Sequence, residues 1–193
     1  MSTHWYLALL IAVALERLFE MRLSDRNAKL AFAQGGLEFG QRHFIFMKGL
    51  HTALLLGAAL EVLLLHRPFI PELGFPMLGL ALAAQSLRYW AVSSLGTRWN
   101  VRVIVIPGAP AIRRGPYQYM RHPNYVAVVL EGIALPLIHS AWITACVFSV
   151  LNAGLLWIRI SCEERSLREH TNYDESFGTI HRFWPRQEIE ELE

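Results

Sequence analysis

The sequence predicts an all-α, polytopic membrane protein. We expect about five transmembrane helices, a C-terminal helical hairpin and an amphipathic cytoplasmic tail. Of its 193 residues, 53% are hydrophobic and 18% are charged, and the hydrophobic residues are concentrated in long stretches. Four or five of these stretches approach or exceed the roughly 20 apolar residues that span a bilayer. The length suits one membrane domain, with three N-terminal spans in residues 1–95 and a loop, hairpin and tail in residues 96–193.

The order of the apolar stretches defines the predicted helices. The five predicted spans are residues 4–18, 44–65, 73–95, 124–138 and 141–160. Only His139 and Ser140 separate the last two, and so short a link requires an antiparallel helical hairpin. Pro136 should kink the fourth helix or end it early.

Basic residues in the short loops predict the orientation of these spans. Thirteen fall on one side, and Arg67 alone falls on the other. The thirteen are Arg22, Arg26, Lys29, Arg42, Arg98, Arg102, Arg113, Arg114, Arg121, Arg165, Arg168, Arg182 and Arg186. Because basic loops stay in the cytoplasm, we expect an integral, multi-pass protein with its N-terminus outside and its C-terminus in the cytoplasm.

Two segments outside the predicted spans carry their own signals. Gly-Pro and Pro-Gly pairs predict that residues 96–122 form an ordered loop rather than a helix. The tail after Glu164 is too polar to span a bilayer but is amphipathic and aromatic. Its apolar residues are Leu167, Tyr173, Phe177, Ile180, Phe183 and Trp184, followed by Pro185. This pattern predicts one or two short helices lying on the membrane face.

A polar cluster, Arg121-His122-Pro123-Asn124-Tyr125, begins the predicted hairpin. Pro123 suits the first position of a helix, where a missing amide costs nothing. Arg121 and His122 then stand at a helix N-terminus, where free amides and the helix dipole favour an anion. A charged ligand could bind there, or the residues could simply anchor a helix start at the membrane surface.

A second polar cluster, Arg159 to Arg165, ends the hairpin, so both clusters should face the cytoplasm. Arg159 and Glu163 are four residues apart and share a helix face, whereas Glu163 and Glu164 point in different directions. Arg159 could present its guanidinium to a carboxylate or phosphate. Alternatively, Arg159 and Glu163 form a structural ion pair at the membrane edge.

Charges inside the other predicted spans favour structural pairing, because buried ions need partners. Glu16, Arg17 and Glu20 could pair with Arg88 or Lys48 across helices. Glu131 could face a cavity or pair with Arg88 or Arg159. These alternatives stay open.

Several function classes are excluded. A net charge of +2 is too small to indicate a nucleic-acid partner. The sequence has no Gly-x-Gly-x-x-Gly fingerprint, no Walker phosphate loop and no metal motif, so we expect no metal and no soluble-type nucleotide-binding enzyme. The eight histidines are scattered, and the two cysteines give no disulfide framework.

The two clusters together resemble the isoprenylcysteine carboxyl methyltransferase family. The residues that carry the resemblance are Gly115-Pro116-Tyr117, Arg121-His122-Pro123-Asn124-Tyr125, Arg159 with Glu163-Glu164, and the aromatic tail from Tyr173 to Pro185. They occur in the family's order across roughly residues 95–185. The N-terminal part, with Glu16-Arg17, looks like a bacterial branch, which implies a bacterial inner membrane.

The resemblance implies an enzyme, an S-adenosylmethionine-dependent methyltransferase with its catalytic core in residues 96–193. Tyr117, His122, Pro123, Tyr125 and Glu164 would bind the cofactor. Arg159 and Glu163 would be catalytic and would orient the methyl acceptor. The implied partners are the membrane lipid and a lipid-tailed or prenylated acceptor.

The acceptor stays open between an isoprenylcysteine carboxylate, an alkyl-resorcinol or other phenolic lipid, and a phospholipid amine. Some members of the bacterial branch are thought to methylate long-chain phenolic lipids. Two other readings remain: a non-catalytic or transport protein that uses its intramembrane charges, and a membrane reductase that binds a nicotinamide cofactor.

Overall fold

The computed structural model describes residues 1–183, and most of them are helical. The helices are α1 (Thr3–Ala33), α2 (Gln41–Leu64), α3 (Pro71–Leu95), α4 (Pro123–Leu137), α5 (Trp142–His170) and α6 (Tyr173–Phe177). The predicted all-α class is therefore confirmed. Trp184, Pro185 and Arg186, which the tail and orientation predictions use, lie outside the described residues.

Two helices are longer than the apolar stretches that predict them. Helix α1 continues from the predicted end at residue 18 to Ala33, and α5 continues from residue 160 to His170. The continuing segments are polar but contain few helix breakers, so hydropathy marks the end of an apolar stretch and not the end of a helix. On this extension of α1, Ser24 and Asn27 are buried.

The predicted hairpin of α4 and α5 is present. Helix α4 ends one residue after Pro136, and Ser140 in the connection adopts a positive φ of 59°. The Tyr6 hydroxyl donates to the Leu135 carbonyl oxygen at 3.1 Å, which satisfies one acceptor at this helix end. The two helices cross closely at Gly132. The Phe148 ring fills the space that a Cβ atom at this position would need, so the crossing requires glycine.

Large apolar side chains point outward along the helices. Examples are Ile11 and Phe19 on α1, Leu82 on α3, and Val150 and Trp157 on α5, each at least half exposed. In the described residues, α2 and α5 are long and apolar enough to cross a membrane, and α4 is a shorter apolar helix. At 1.5 Å per residue, the 15 residues of α4 extend about 22 Å. Five spans therefore stay a prediction.

The loop of residues 96–122 contains no α-helix, as predicted, but it includes a strand that the sequence does not reveal. Strand β2 (Val103–Val105) pairs antiparallel with β1 (Leu37–Phe39). The loop is also tied to α1, because Ser24 contacts Asn100 at 2.7 Å and Asn27 donates to the Trp99 carbonyl oxygen at 2.8 Å. These contacts hold the loop across one end of the helix bundle.

The tail packs on the protein, which corrects the expectation that its apolar face lies on the membrane. Tyr173, Phe177 and Ile180 are buried in one cluster with Ala91 and Tyr117. An amphipathic pattern requires a partner for its apolar face, and here that partner is α3 and the loop before α4. The tail therefore closes the same end of the bundle as the loop.

Candidate active site

The two polar clusters of the hairpin lie together, because α4 begins where α5 leaves its apolar segment. The Tyr125 hydroxyl stands between the side chains predicted to be catalytic. It donates a hydrogen bond to the Glu163 carboxylate and accepts one from Arg159 Nε at 2.9 Å. Among the described residues, Arg159 and Glu163 form no direct ion pair. The hydroxyl of Tyr125 bridges them instead.

Arg159 is fixed from a second direction. Its Nη2 atom donates to the Val101 carbonyl oxygen in the loop, and its guanidinium lies 5.9 Å from the centre of the Tyr125 ring. The side chain is 6% exposed. A guanidinium held this way keeps a defined orientation toward an anionic or hydroxyl group.

His122 is held by Glu164, which is 1% exposed. The His122 Nε2 atom lies 3.0 Å from Glu164 Oε1. Arg182 donates to both carboxylate oxygens, at 2.9 and 2.7 Å, and Arg168 donates to Oε2 at 3.1 Å. Burial disfavours the charged carboxylate, but the hydrogen bonds from His122 and Arg182 outweigh it and lower the pKa of Glu164. Glu164 is thus an ionised anchor for His122.

Backbone hydrogen bonds join the tail to the start of α4. The amides of Arg121 and His122 donate to the carbonyl oxygens of His181 and Arg182, each at 3.0 Å. Arg121 Nε donates to the Ile180 carbonyl oxygen at 2.5 Å. Residues 180–182 therefore pair with 121–122 and hold His122 in place.

A cavity of about 770 Å³ opens beside these groups. One part is polar and aromatic, lined by Trp99, Tyr117, Arg121, His122, Tyr125, Arg159, Glu163, Tyr173 and Phe177. The lining from α1 and α2 includes the apolar side chains Ala14, Leu18, Met21, Leu55 and Leu56, together with polar residues such as Arg17, Glu20, Lys48 and His51. The volume lies within the range of small-molecule sites.

Two tyrosines of the polar part keep their protons at neutral pH. Burial, with a smaller contribution from Glu163, raises the pKa of Tyr117 above its ordinary value. Burial, followed by Glu164 and Glu163, likewise raises the pKa of Tyr173. Both hydroxyls can serve as hydrogen-bond donors but not as bases.

Five of the seven predicted site residues line this cavity: Tyr117, His122, Tyr125, Arg159 and Glu163. The other two do not line it. Pro123 is buried at the first turn of α4, and Glu164 faces His122 and the arginines. Neither Pro123 nor Glu164 lines the cavity. Their role in cofactor binding stays a prediction.

The N-terminal helices also contribute to the cavity, which the division of the chain at residue 95 does not anticipate. A set of side chains, here called the buried ion cluster, joins α1, α3 and α4. It comprises Glu16, Arg17, Glu20, Gln85, Arg88 and Glu131. Arg88 pairs with Glu131 through two hydrogen bonds, at 3.2 and 2.7 Å. Lys48 lies over the Phe44 ring instead.

One sequence signal could have revealed the α1 contribution. The buried residues Glu20, Ser24, Asn27 and Ala31 recur at helical spacing, so they mark one inward face of α1. These four residues lie beyond the end of the predicted apolar stretch. Asn124 accepts a hydrogen bond from Arg88 at 3.4 Å and lines the cavity. In the sequence, only its place in the first polar cluster points to this role.

Comparison with known proteins decides the family. The profile of the isoprenylcysteine carboxyl methyltransferase (ICMT) family matches residues 77–169. The uncharacterized protein YpbQ of Bacillus subtilis (strain 168) is 39% identical over 165 residues, which is 84% of this chain and 97% of YpbQ. An uncharacterized protein of Haemophilus influenzae is 27% identical over 154 residues, 78% of this chain and 88% of that protein.

The chain belongs to the isoprenylcysteine carboxyl methyltransferase family. The resemblance noted from the two polar clusters is thereby confirmed, and it makes methyl transfer at a membrane the reaction class. The matched segment runs from α3 to the end of α5, so it contains His122, Tyr125, Arg159, Glu163 and the Glu164 anchor.

Proposed function

We propose that the protein is an S-adenosylmethionine-dependent methyltransferase that acts on a lipid-tailed acceptor at the membrane. The main support for this proposal is one cavity whose lining side chains differ between its two ends. Its polar end holds the Arg159–Tyr125–Glu163 chain, and its other end, lined by α1 and α2, carries apolar side chains such as Leu18 and Leu55 beside the charged Arg17 and Glu20. A water-soluble donor and a lipid-tailed acceptor would suit these two ends.

The polar end fits S-adenosylmethionine chemically. Tyr117, Tyr125, Tyr173 and Phe177 offer aromatic surface for a purine, and Arg121 can face a carboxylate. His122, held by Glu164, lines the same end. The cofactor would be held by Tyr117, His122 and Tyr125. Pro123 would set the start of α4, and Glu164 would act by positioning His122.

When bound, S-adenosylmethionine supplies a methyl group on a positively charged sulfur. The acceptor would take this methyl group and displace a neutral thioether, so the residues of this chain need only place the acceptor, exclude water and accept a proton. Arg159 would place the acceptor oxygen, and the loop and tail across this end of the bundle would limit access of water. A carboxylate acceptor is already ionised at neutral pH, whereas the proton of a phenol would pass to Glu163.

The acceptor remains a choice between an isoprenylcysteine-type carboxylate, the phenol of an alkyl-resorcinol lipid and a phospholipid amine. All three combine a polar reacting atom with a tail that the end of the cavity lined by α1 and α2 could take. We also propose an integral, multi-pass protein in a bacterial inner membrane. Its site and C-terminus would face the cytoplasm, as thirteen basic loop residues against one support.

A transport role has less support. Glu61 is the polar residue of α2 that such a role would need, but its carboxylate accepts hydrogen bonds from the Ile143 and Thr144 amides, at 3.1 and 2.7 Å, and pairs with Arg67 at 2.9 Å. These contacts identify Glu61 as a cap for the start of α5. A carboxylate with its oxygens engaged in this way is poorly suited to carry protons.

Calorimetry with S-adenosylmethionine on purified protein tests the proposal. We expect micromolar binding by the wild type and weaker binding by His122→Ala, with Glu169→Gln on the exposed side of α5 as the matched control. Absence of binding by folded wild-type protein would reject the proposal. Equal affinity of wild type and His122→Ala would reject the assigned site.

A further inference from the structure

A second, smaller pocket lies where α3 ends and the loop passes beside it. It is open, has a volume of about 450 Å³, and is lined by Leu95, Thr97 and Arg98 at the end of α3 and by residues 110–114 of the loop. Within the described residues, this lining includes three arginines, Arg98, Arg113 and Arg114, and no acidic residue. The pocket shares Arg98 and residues 110–112 with the lining of the larger cavity. It therefore lies at the rim of that cavity, and we call it the arginine pocket.

Backbone carbonyl groups hold two of these guanidinium groups in place. Arg98 Nη1 donates to the Pro110 carbonyl oxygen, and Arg114 Nε donates to the Ser94 carbonyl oxygen at 2.5 Å. Each contact uses one of the five N–H donors of a guanidinium group. The other donors stay available to a ligand, because Arg98, Arg113 and Arg114 are all exposed.

The positive charge of the arginine pocket is not balanced by acidic side chains in residues 1–183. In that part of the chain, no carboxylate oxygen lies within 4.0 Å of a nitrogen of Arg98, Arg113 or Arg114. Arg102 of the same loop, by contrast, pairs with Asp25 at 2.9 Å. The dipole of α3 places roughly half a negative charge at its C-terminal end, which three guanidinium groups exceed. The pocket therefore favours an anion with several acceptor oxygens.

The order of the exposed side chains along α3 indicates the depth of this pocket. Phe75 and Leu82 are exposed apolar side chains, and Trp90 follows them toward the end of the helix. Trp90 is 48% exposed, and its ring centre lies 6.4 Å from that of Tyr119, which is 51% exposed. Apolar side chains followed by tryptophan and tyrosine, and then by arginine, are typical of the level where a helix leaves a bilayer. The anions found at that level are lipid head groups.

We propose that the arginine pocket binds the phosphate of an anionic membrane lipid. Phosphate oxygens accept hydrogen bonds from the planar guanidinium fork, and the acyl chains would lie along the exposed apolar side chains of α3. A zwitterionic lipid carries the same phosphate with an ammonium group, which three arginines would repel. The proposed lipid site lies at the rim of the cavity and is separate from the Arg159–Tyr125–Glu163 chain.

Calorimetric titration of purified wild-type protein in a neutral detergent tests the proposal with three probes. They are dioctanoylphosphatidylglycerol, dioctanoylphosphatidylcholine and inorganic phosphate. Each arginine beside an anionic lipid contributes roughly fivefold in affinity, so we expect the phosphatidylglycerol to bind at least about 10-fold more tightly than the phosphatidylcholine. Equal affinity for the two lipids overturns the proposal. Inorganic phosphate lacks acyl chains and should bind more weakly, and an affinity equal to that of the phosphatidylglycerol overturns the choice of a lipid.

Combined substitutions then assign the lipid preference to the arginine pocket. The triple variant Arg98→Gln, Arg113→Gln and Arg114→Gln should lose about 10-fold to 100-fold in affinity for the phosphatidylglycerol. The matched control is Arg22→Gln, Arg26→Gln and Lys29→Gln, which removes three basic charges from exposed positions of α1 that do not line the pocket. The control should keep the wild-type affinity. An equal loss in both variants contradicts a defined site, because it would show a general attraction between charges.

Salt provides a test that needs no variant, in case the triple variant fails to fold. The preference of the wild type for the phosphatidylglycerol should shrink as NaCl rises from about 0.05 M to about 0.5 M, because these arginines are exposed and their charges are screened. A preference that salt leaves unchanged contradicts the proposal. These titrations contain no S-adenosylmethionine, so their outcome does not depend on methyl transfer, and calorimetry with the cofactor on the same samples tests the proposed function separately.

Discussion

The substitution Glu164→Gln removes the negative charge that holds His122 and places an amide group against arginine donors. The His122–Glu164 hydrogen bond is fully buried, and hydrogen bonds to charged groups contribute about 1.5–3 kcal/mol. Arg168 and Arg182 have side chains 41% exposed, so they can return to water and add at most about 1 kcal/mol together. We therefore expect Glu164→Gln to lower the free energy of unfolding by about 2–3 kcal/mol.

Thermal unfolding in detergent, followed by circular dichroism, measures this loss. For a chain of this length, it corresponds to a decrease in Tm of about 4–12 °C. The matched control is Glu169→Gln, which removes the same charge from an exposed position on the same helix and should change the Tm by less than about 2 °C.

The difference between wild type and Glu164→Gln should also depend on pH. Because the pKa of Glu164 is lowered in the folded protein, its stabilisation is complete above the ordinary glutamate pKa of about 4.3. It is lost as the pH falls below that value toward the lowered pKa. The two Tm values should therefore converge on acidification below about pH 4.

A Glu164→Gln protein with the Tm and cofactor affinity of the wild type would refute this reasoning. It would mean that His122 keeps its position without an ionised partner. A constant Tm difference down to strongly acidic pH would refute the electrostatic part alone.

Three further substitutions probe other parts of the structure. Tyr125→Phe removes the hydroxyl bridge between the catalytic candidates and should lower kcat/KM by about 10-fold to 100-fold, with fold retention checked by Tm; unchanged kinetics would show that the bridge is not used. Gly132→Ala forces a methyl group into the Phe148 ring and should destabilise the hairpin by about 1–3 kcal/mol, measured by thermal unfolding; an unchanged Tm would contradict the close helix crossing. Glu61→Gln should lower the free energy of unfolding by about 1–2 kcal/mol, because it weakens the cap of α5. It should not alter proton flux into liposomes, and a change in that flux would favour a transport role instead.

The C-terminal half of the site could be predicted because its residues come in a recognisable order. Pro123 marks the start of α4, and four-residue spacing puts Arg159 and Glu163 on one face of α5. The short connection at Ser140 then brings the start of α4 close to the segment of α5 that contains Arg159 and Glu163. The different directions of Glu163 and Glu164 also follow from helical geometry, and the structure confirms them, with Glu163 in the cavity and Glu164 behind His122.

The contribution of α1 could not be predicted in the same way. Glu20 lies beyond the apolar stretch, and its partner Arg88 is far away in the sequence, so charge spacing alone cannot say which ions meet. Strand β2 is three residues long, too short for a periodic pattern. The location of the aromatic tail could not be predicted, because an amphipathic face suits a membrane or a protein surface equally well. Only the packing of Tyr173 against the core distinguishes the two.

The proposed reaction is methyl transfer to a lipid-tailed acceptor. The most direct measurement incubates membranes containing the protein with S-adenosylmethionine labelled in its methyl group and then extracts and identifies the labelled lipids. We expect label in the lipid fraction with the wild type, and an initial rate of labelling about 10-fold to 100-fold lower with Tyr125→Phe or His122→Ala proteins of equal abundance. Folded wild-type protein that transfers no label to any lipid or prenylated acceptor would contradict the proposed function.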